Sequence, residues 1–380
     1  MVVMDNKEGP TLQFHPDGSF KIMQITDIQD GVKLSADTMN FIERALDEAK
    51  PDLVVFTGDQ IKGYSSSLKG NKAQENVKFV IDKIIEPLAK RSIPFAVAFG
   101  NHDLQCKIPT EMQLEFYQNY PQCVSYDTPD VPGVANHIVP ILGSDGKKVA
   151  FNLYIFDSHG SKGTGYDTIH KEQIDWYRNE REKLREENGK YVPSFVFQHI
   201  PFEEMYFAFD EVKRNTKGSL PAYRKRKGKS YKLKSNYEND ESFFGELPAV
   251  PDVNMGQFEA IKEKGDVIGA FFGHDHKNCF IAKHEGVDMG YTPGVGFNVY
   301  GPSYNRGVRI FELNENEPSK YKTKMLFYKD IIGKKVEKRL LHYLIDKTPS
   351  SVDVAIAQIS KALLAIAAII AVVIILIEII

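Results

Sequence analysis

The chain has 380 residues, 42% hydrophobic and 26% charged, with a formal net charge of −3 and a pI near 6.4. That composition is globular, with room for one large domain or two ordinary ones, and its charge offers polyanions no global attraction, so nucleic-acid binding would need a local basic patch. Three cysteines, Cys106, Cys123 and Cys279, are an odd number with no C-x-x-C pair; this argues against a disulfide framework and a thiolate zinc centre and suits a reducing compartment.

Met1 to Phe20 carries no apolar core of a secretory signal. Phe20 to Thr26 is a β-branched apolar run that predicts a strand. Ser35 is placed to cap a helix over Ala36 to Lys50, which Pro51 ends. Leu53 to Phe56 predicts a buried strand, Ala73 to Arg91 a helix bent or broken at Pro87, and Ile93 to Phe99 a third strand. Such alternation implies right-handed crossovers and a largely parallel sheet. Val149 to Phe156, Ser194 to Phe197 and Val267 to Phe272 predict further strands, with a charged helix over Lys171 to Glu187. After Gly307 the runs Val308 to Leu313 and Lys322 to Tyr328 follow without helices, which suits antiparallel pairing at the end of a second sheet. The expected architecture is an α/β fold, a four-layer α/β/β/α sandwich with a C-terminal hydrophobic helix.

Two stretches fall outside that alternation. Glu203 to Pro251 is long and polar, with a basic centre from Lys213 to Lys234 and acidic flanks. It reads as a solvated excursion, or else as a lid or an anionic-substrate contact. The other, Ala362 to Leu376, has no polar side chain, and the only charge in residues 362–380 is Glu378. As a helix that segment is about 28 Å long, close to a hydrocarbon core of roughly 30 Å. With Lys361 and further cations before it, it predicts a single-pass membrane anchor behind a cytoplasmic catalytic domain; the alternatives are a helix buried against the domain and a soluble cytoplasmic protein. Residues 1–330 then form one catalytic domain and residues 331–361 a linker.

Polar signatures stand directly behind the predicted strands, where an α/β sheet presents ligand-binding residues. They are Thr26-Asp27-Ile28-Gln29, Gly58-Asp59, Gly100-Asn101-His102-Asp103, Gln198-His199-Ile200-Pro201 and Gly273-His274-Asp275-His276. On an extended segment, a spacing of two points Asp27 and Gln29 to one side, and His274 and His276 likewise, leaving Asp30 and Asp275 on the opposite parity. Carboxylate and amide oxygens mixed with imidazole suit Mn, Fe, Zn or Mg.

In this order the signatures resemble the calcineurin-like metallophosphoesterase superfamily, over Phe20 to about Tyr328. The resemblance implies two divalent metal ions: Asp27, Gln29, Asp59 and His276 around one, Asp59, Asn101, His199 and His274 around the other, with Asp59 bridging. It also implies hydrolysis of phosphomonoesters or phosphodiesters by a metal-bridging hydroxide. His102 would stand near the leaving group, as general acid or as a cationic stabiliser. Asp103 either orients the His102 ring or is a surface or helix-capping carboxylate. Position 29 departs from the superfamily, which usually has His there; Gln29 is a direct ligand or only hydrogen-bonds a bound water.

Gly58-Asp59 is followed by Gln60-Ile61-Lys62-Gly63, unlike the G-D-x-x-D-R-G of serine/threonine protein phosphatases, and Lys62 stands where purple acid phosphatases place an iron-binding tyrosine. Asn254 to Asn278 looks closest to the purple-acid-phosphatase-like group without that tyrosine. The expected substrate is a phosphoester small molecule or lipid headgroup. One alternative is a non-catalytic, membrane-tethered scaffold on the same fold. Another is a nuclease using the basic stretch, where Tyr223, Tyr231 and Tyr237 are interleaved with Arg224, Arg226 and several lysines.

Overall fold

The computed structural model describes residues 9–349 together with 355–356, 359–360 and 362–370. Two large sheets face one another. The first has five strands in the order Tyr321–Phe327, Gly307–Asn314, Ser19–Ile25, Leu53–Thr57, Phe95–Ala98, the last three parallel. The second has eight, with a parallel centre of Val149–Ile155, Ser194–Phe197, Val267–Phe272 and Val287–Tyr291.

Side-chain alternation along each strand sets the layers. Phe20, Ile22, Leu53, Val55, Ala96 and Ala98 point inward to meet Phe151, Leu153, Phe195, Phe197 and Phe271 of the facing sheet. Met23, Ile25, Val54, Phe56 and Val97 point outward against helices Ala36–Ala49 and Ala73–Lys90. On the far side Tyr154, Val196, Ala270 and Phe272 take Trp176 and Leu184 of helix Lys171–Asn188 and Phe258 of helix Gln257–Lys262. Each fully buried side chain of this size contributes about 1.5 to 3 kcal/mol. The arrangement is a mixed α/β fold with helices outside two facing sheets.

Local signals set several boundaries. The Ser35 side chain accepts a hydrogen bond from Thr38 N at 3.3 Å, and Lys50 ends the helix in a left-handed conformation at φ 48°. Helix Ala73–Lys90 runs unbroken through Pro87. That proline lies in the last turn, where the one hydrogen bond it removes is close to the frayed end.

One expectation is corrected, and a second falls largely outside the described residues. The closing hairpin joins the first sheet, because Gly307–Asn314 pairs antiparallel with Ser19–Ile25. Val308 and Ile310 fill the helix-side core while Phe311 and Leu313 fill the inter-sheet core, so this strand needs burial on both faces, which the open edge of Ser19–Ile25 supplies. Antiparallel strands of the second sheet come instead from His137–Leu142 and Asn278–His284. The other expectation is the membrane-spanning helix over residues 362–380. Among the described residues no helix is long and apolar enough to cross a membrane. Residues 362–370 are helical and exposed. Residues 371–380, on which the rest of that expectation falls, lie outside the described residues.

Candidate metal centre

Five loops converge where the parallel strands end: Asp27 follows Ser19–Ile25, Asp59 follows Leu53–Thr57, Asn101 follows Phe95–Ala98, His199 follows Ser194–Phe197 and His274 follows Val267–Phe272. The backbone there is not extended. Asp27, Gln29, Asp59 and His274 have φ of 54°, 41°, 56° and 72°. Non-glycine residues in this left-handed region are uncommon and cost about 1 to 3 kcal/mol each, held only where the surroundings impose them. The residues two apart do share a pocket, but through these turns and not through strand parity. Asp27 N donates to Gly58 O at 3.1 Å and Gln29 N to Asp59 O at 2.9 Å, which locks the first two loops together. Glycine is required beside them: a Cβ on Gly58 would lie 2.4 Å from His199 Nδ1, and one on Gly100 would lie 2.3 Å from Asp59 Oδ1.

Two sets of ligand-type atoms, each within 4.8 Å, share Asp59: Asp27, Asp59 and His276 form one, Asp59, His199 and His274 the other, all buried. Asp59 Oδ2 lies 3.1 Å from His199 Nε2, and His276 Nε2 lies 3.1 Å from Asp27 Oδ1. The other ring nitrogens fix which face is presented. His199 Nδ1 donates to Thr57 O and His276 Nδ1 to Tyr300 O, both at 2.8 Å, so each directs Nε2 into the cluster. His274 Nδ1 meets His199 Nε2 at 3.2 Å.

The fit to cations rests on what these atoms lack. Asn101 Oδ1 and His274 Nε2 are buried without a hydrogen-bond partner among the described residues, and buried polar atoms left so are costly. Burial opposes charge on His199, yet Asp59 beside it lifts the imidazole to about 10. On His274 burial, reinforced by His199, pushes well downward. The oxygen and imidazole donors of the cluster suit divalent ions, which would balance the charges of Asp27 and Asp59.

Gln29 belongs to the cluster, its Nε2 donating to Asp59 Oδ2 at 2.9 Å and standing 3.2 Å from His276 Nε2. Turned about its terminal bond, the amide would present oxygen at the same place. Asp30 and Asp275 lie outside both groups. Asp30 accepts from Ser35 N and Asn298, and Asp275 from Ala249 N and the Tyr291 hydroxyl.

His102 is half-exposed at the edge of the cluster, its Nε2 3.9 Å from Asp59 Oδ2. Asp103 does not orient its ring, nor is it a surface residue. It is 1% exposed, and its carboxylate accepts from Asp59 N and Gly100 N at 2.8 Å and from Ile61 N at 3.0 Å, tying two ligand loops together. Burial, with the Asp59 charge beside it, shifts its pKa upward. The ring is held by Gln105, whose Oε1 accepts from His102 Nδ1 at 2.9 Å, and by the edge of Tyr64 at 4.9 Å. Gln105 was open to inference from its position one turn after His102, though a Gln at that spacing is common.

Residues 203–251 are not a solvated excursion. Strands Phe209–Glu211, Ser230–Leu233 and Leu220–Pro221 form a small antiparallel sheet, and Phe209, Tyr231 and Leu233 join the core behind the second large sheet. Tyr231 is buried and Tyr237 donates to Lys283 O, so the interleaved tyrosines form no stacking ladder for bases. The tip of this segment instead walls the pocket over the cluster: Tyr223 and Arg224 line it with Tyr166, Tyr300, Glu246 and His102. Tyr300 stacks on His276 at 4.3 Å and donates to Glu246 Oε2 at 3.1 Å. No sequence pattern singled out Tyr166, Tyr300 or Glu246.

A family profile described as calcineurin-like phosphoesterase matches residues 20–278, and the chain belongs to that family. It is 26% identical to "Probable inactive purple acid phosphatase 14" of Arabidopsis thaliana over 79% of this chain and 77% of that one. It is 27% identical to "Probable inactive purple acid phosphatase 29" of the same plant, over 82% and 81%. "Phosphatase DCR2" of Saccharomyces cerevisiae is 27% identical over 80% of this chain and 53% of its own length. These names agree with the likeness to the purple-acid-phosphatase-like group drawn from Asn254 to Asn278.

Proposed function

We propose that the chain is a dinuclear metal-dependent phosphoesterase. The observation that carries this reading is the pair of ligand groups sharing Asp59, each with an imidazole whose tautomer is set for coordination. Asp27, Gln29, Asp59 and His276 would hold one ion, and Asp59, Asn101, His199 and His274 the other. Bound divalent ions supply Lewis-acid neutralisation of the phosphoryl oxygens and activation of water near neutral pH. His102, held through Nδ1 by Gln105, keeps Nε2 toward the pocket, where it holds a proton for the departing oxygen as general acid. The aromatic wall of Tyr166, Tyr223 and Tyr300 narrows access of water beside the ester.

The word "inactive" in two relatives' names, together with Gln29 in place of an imidazole, favours a second reading in which the site binds ions without turnover. Against it stands His102, which a binding site alone does not need. One experiment separates the two. Chelation should abolish hydrolysis of p-nitrophenyl phosphate, bis-p-nitrophenyl phosphate or nucleotides, and Mn, Fe, Co or Zn should restore it. A purified chain that binds ions but cleaves nothing in the panel supports the second reading; one that binds no divalent ion sinks both.

A further inference from the structure

The basic tip of residues 203–251 carries several cations, and most are spoken for. Arg226 pairs with Glu203 at 2.7 Å and lies over the Tyr206 ring, Lys225 reaches Asp252 O, and Lys229 pairs with Glu211. Arg224 differs. Among the described residues no carboxylate pairs with it, and its Nη1 is buried without a hydrogen-bond partner. Its backbone is left-handed at φ 52°, a conformation that turns it away from the run of its neighbours. Its guanidinium lies over the Tyr166 ring at 4.7 Å, and Tyr166 in turn meets His274 edge-on at 4.6 Å. Among the described residues lining the pocket Arg224 is the one arginine or lysine, and so the one permanent cation. The two buried acids there are already engaged, Glu246 by Lys277 N and the Tyr300 hydroxyl, Asp275 by Ala249 N and the Tyr291 hydroxyl.

Tyr166 takes up part of this guanidinium, but an Nη1 left without a partner among the described residues, in a pocket beside a centre that would hold two cations, is placed for an anion. We propose that Arg224 is a substrate-binding residue that hydrogen-bonds the non-transferred oxygens of a phosphoryl group from the wall opposite the Asp59-centred cluster. The proposal rests on the phosphoesterase reading above. It assigns to residues 203–251 the recognition of a terminal phosphate, and so favours monoesters, whose extra anionic oxygen a cation beyond the two metal ions would engage, over diesters.

The test uses the metal-loaded full chain and inorganic phosphate as the probe, with affinity from calorimetry and metal content from elemental analysis. Arg224→Ala should weaken phosphate binding about 10-fold to 100-fold, the range of a lost charge-assisted hydrogen bond, with metal content unchanged. Arg224→Lys should recover part of the loss, and Lys227→Ala, on the exposed side of the tip, should have no effect. In turnover the loss should appear mainly as a raised KM for p-nitrophenyl phosphate, with a smaller rise for the bis ester. If Arg224→Ala does not fold, Arg224→Gln, which keeps the aliphatic stem over Tyr166, carries the same measurement. Phosphate affinity indistinguishable from the wild type in Arg224→Ala or Arg224→Gln overturns the proposal and leaves the phosphoesterase reading standing. Metal-loaded wild type that binds no phosphate overturns both.

Discussion

The floor of the pocket and its wall meet within one cavity, yet they are held in different ways. The floor is strained backbone on rigid support: four ligand-type residues in left-handed conformation, glycines where any Cβ would collide, and Asp103 gathering three amide groups. Its cost is met by the two packed sheets beneath it, where Phe195, Phe197 and Phe271 are fully buried. The wall rests on short strands and side-chain stacking, with Tyr223 and Arg224 half-exposed. A floor built this way allows little change without losing the centre. The wall can exchange residues at modest cost in stability, which is where discrimination between substrates is cheapest to alter.

The largest break in that comparison is Asp59→Ala. Removing the one carboxylate shared by both groups should strip the metal content and bring turnover to background, read by elemental analysis beside activity. His102→Ala, at the boundary between floor and wall, should keep its metals and lower turnover by roughly 100-fold to 10,000-fold, as expected on losing a general acid; equal metal loss in the two variants would refute the separation of roles.

Asp103→Ala tests the support without replacing a ligand residue. Three buried amides would lose their acceptor, so a destabilisation of about 3 kcal/mol or more is expected from denaturant midpoints, with weaker metal retention following from the loosened loops. Gln29→His should tighten binding at the Asp27 side and shift preference toward nitrogen-favouring ions such as Zn, by about 10-fold in affinity; titrations that match the wild type would place Gln29 outside direct coordination. The smallest effect belongs to the wall. Arg226→Ala removes a partly exposed ion pair and a cation over Tyr206 at 3.8 Å, worth about 1 kcal/mol. Global unfolding should barely move, while proteolysis within residues 203–251 and KM should both rise. A large drop in global stability would mean that the wall is part of the core after all.

Strands buried on both faces were legible as apolar runs: Ser194–Phe197 and Val267–Phe272 lie at the bounds expected for them. His137–Leu142 and Val287–Tyr291 were not, since prolines, glycines and polar residues interrupt their pattern and only pairing with neighbours makes them strands. At the site Asp27, Gln29, Asp59, His199, His274 and His276 come together in one place, because each stands behind an apolar run that a parallel sheet aligns with the others. Asp103 was misjudged for a related reason. Its neighbour His102 suggested a local partnership, whereas its actual partners are backbone amides of a different loop, brought close only when two adjacent strands end side by side.

By itself the sequence determined the order of the polar signatures and their placement behind the strands' carboxyl ends, since these follow from local hydrophobic runs. Tertiary structure alone decided which ring nitrogen each histidine presents, because the Thr57 and Tyr300 carbonyls that settle it come from other loops. It also decided that Arg224 lines the pocket over the cluster while Arg226 pairs with Glu203. Neighbours in a basic run look alike until long-range packing gives one of them a carboxylate and the other an open pocket.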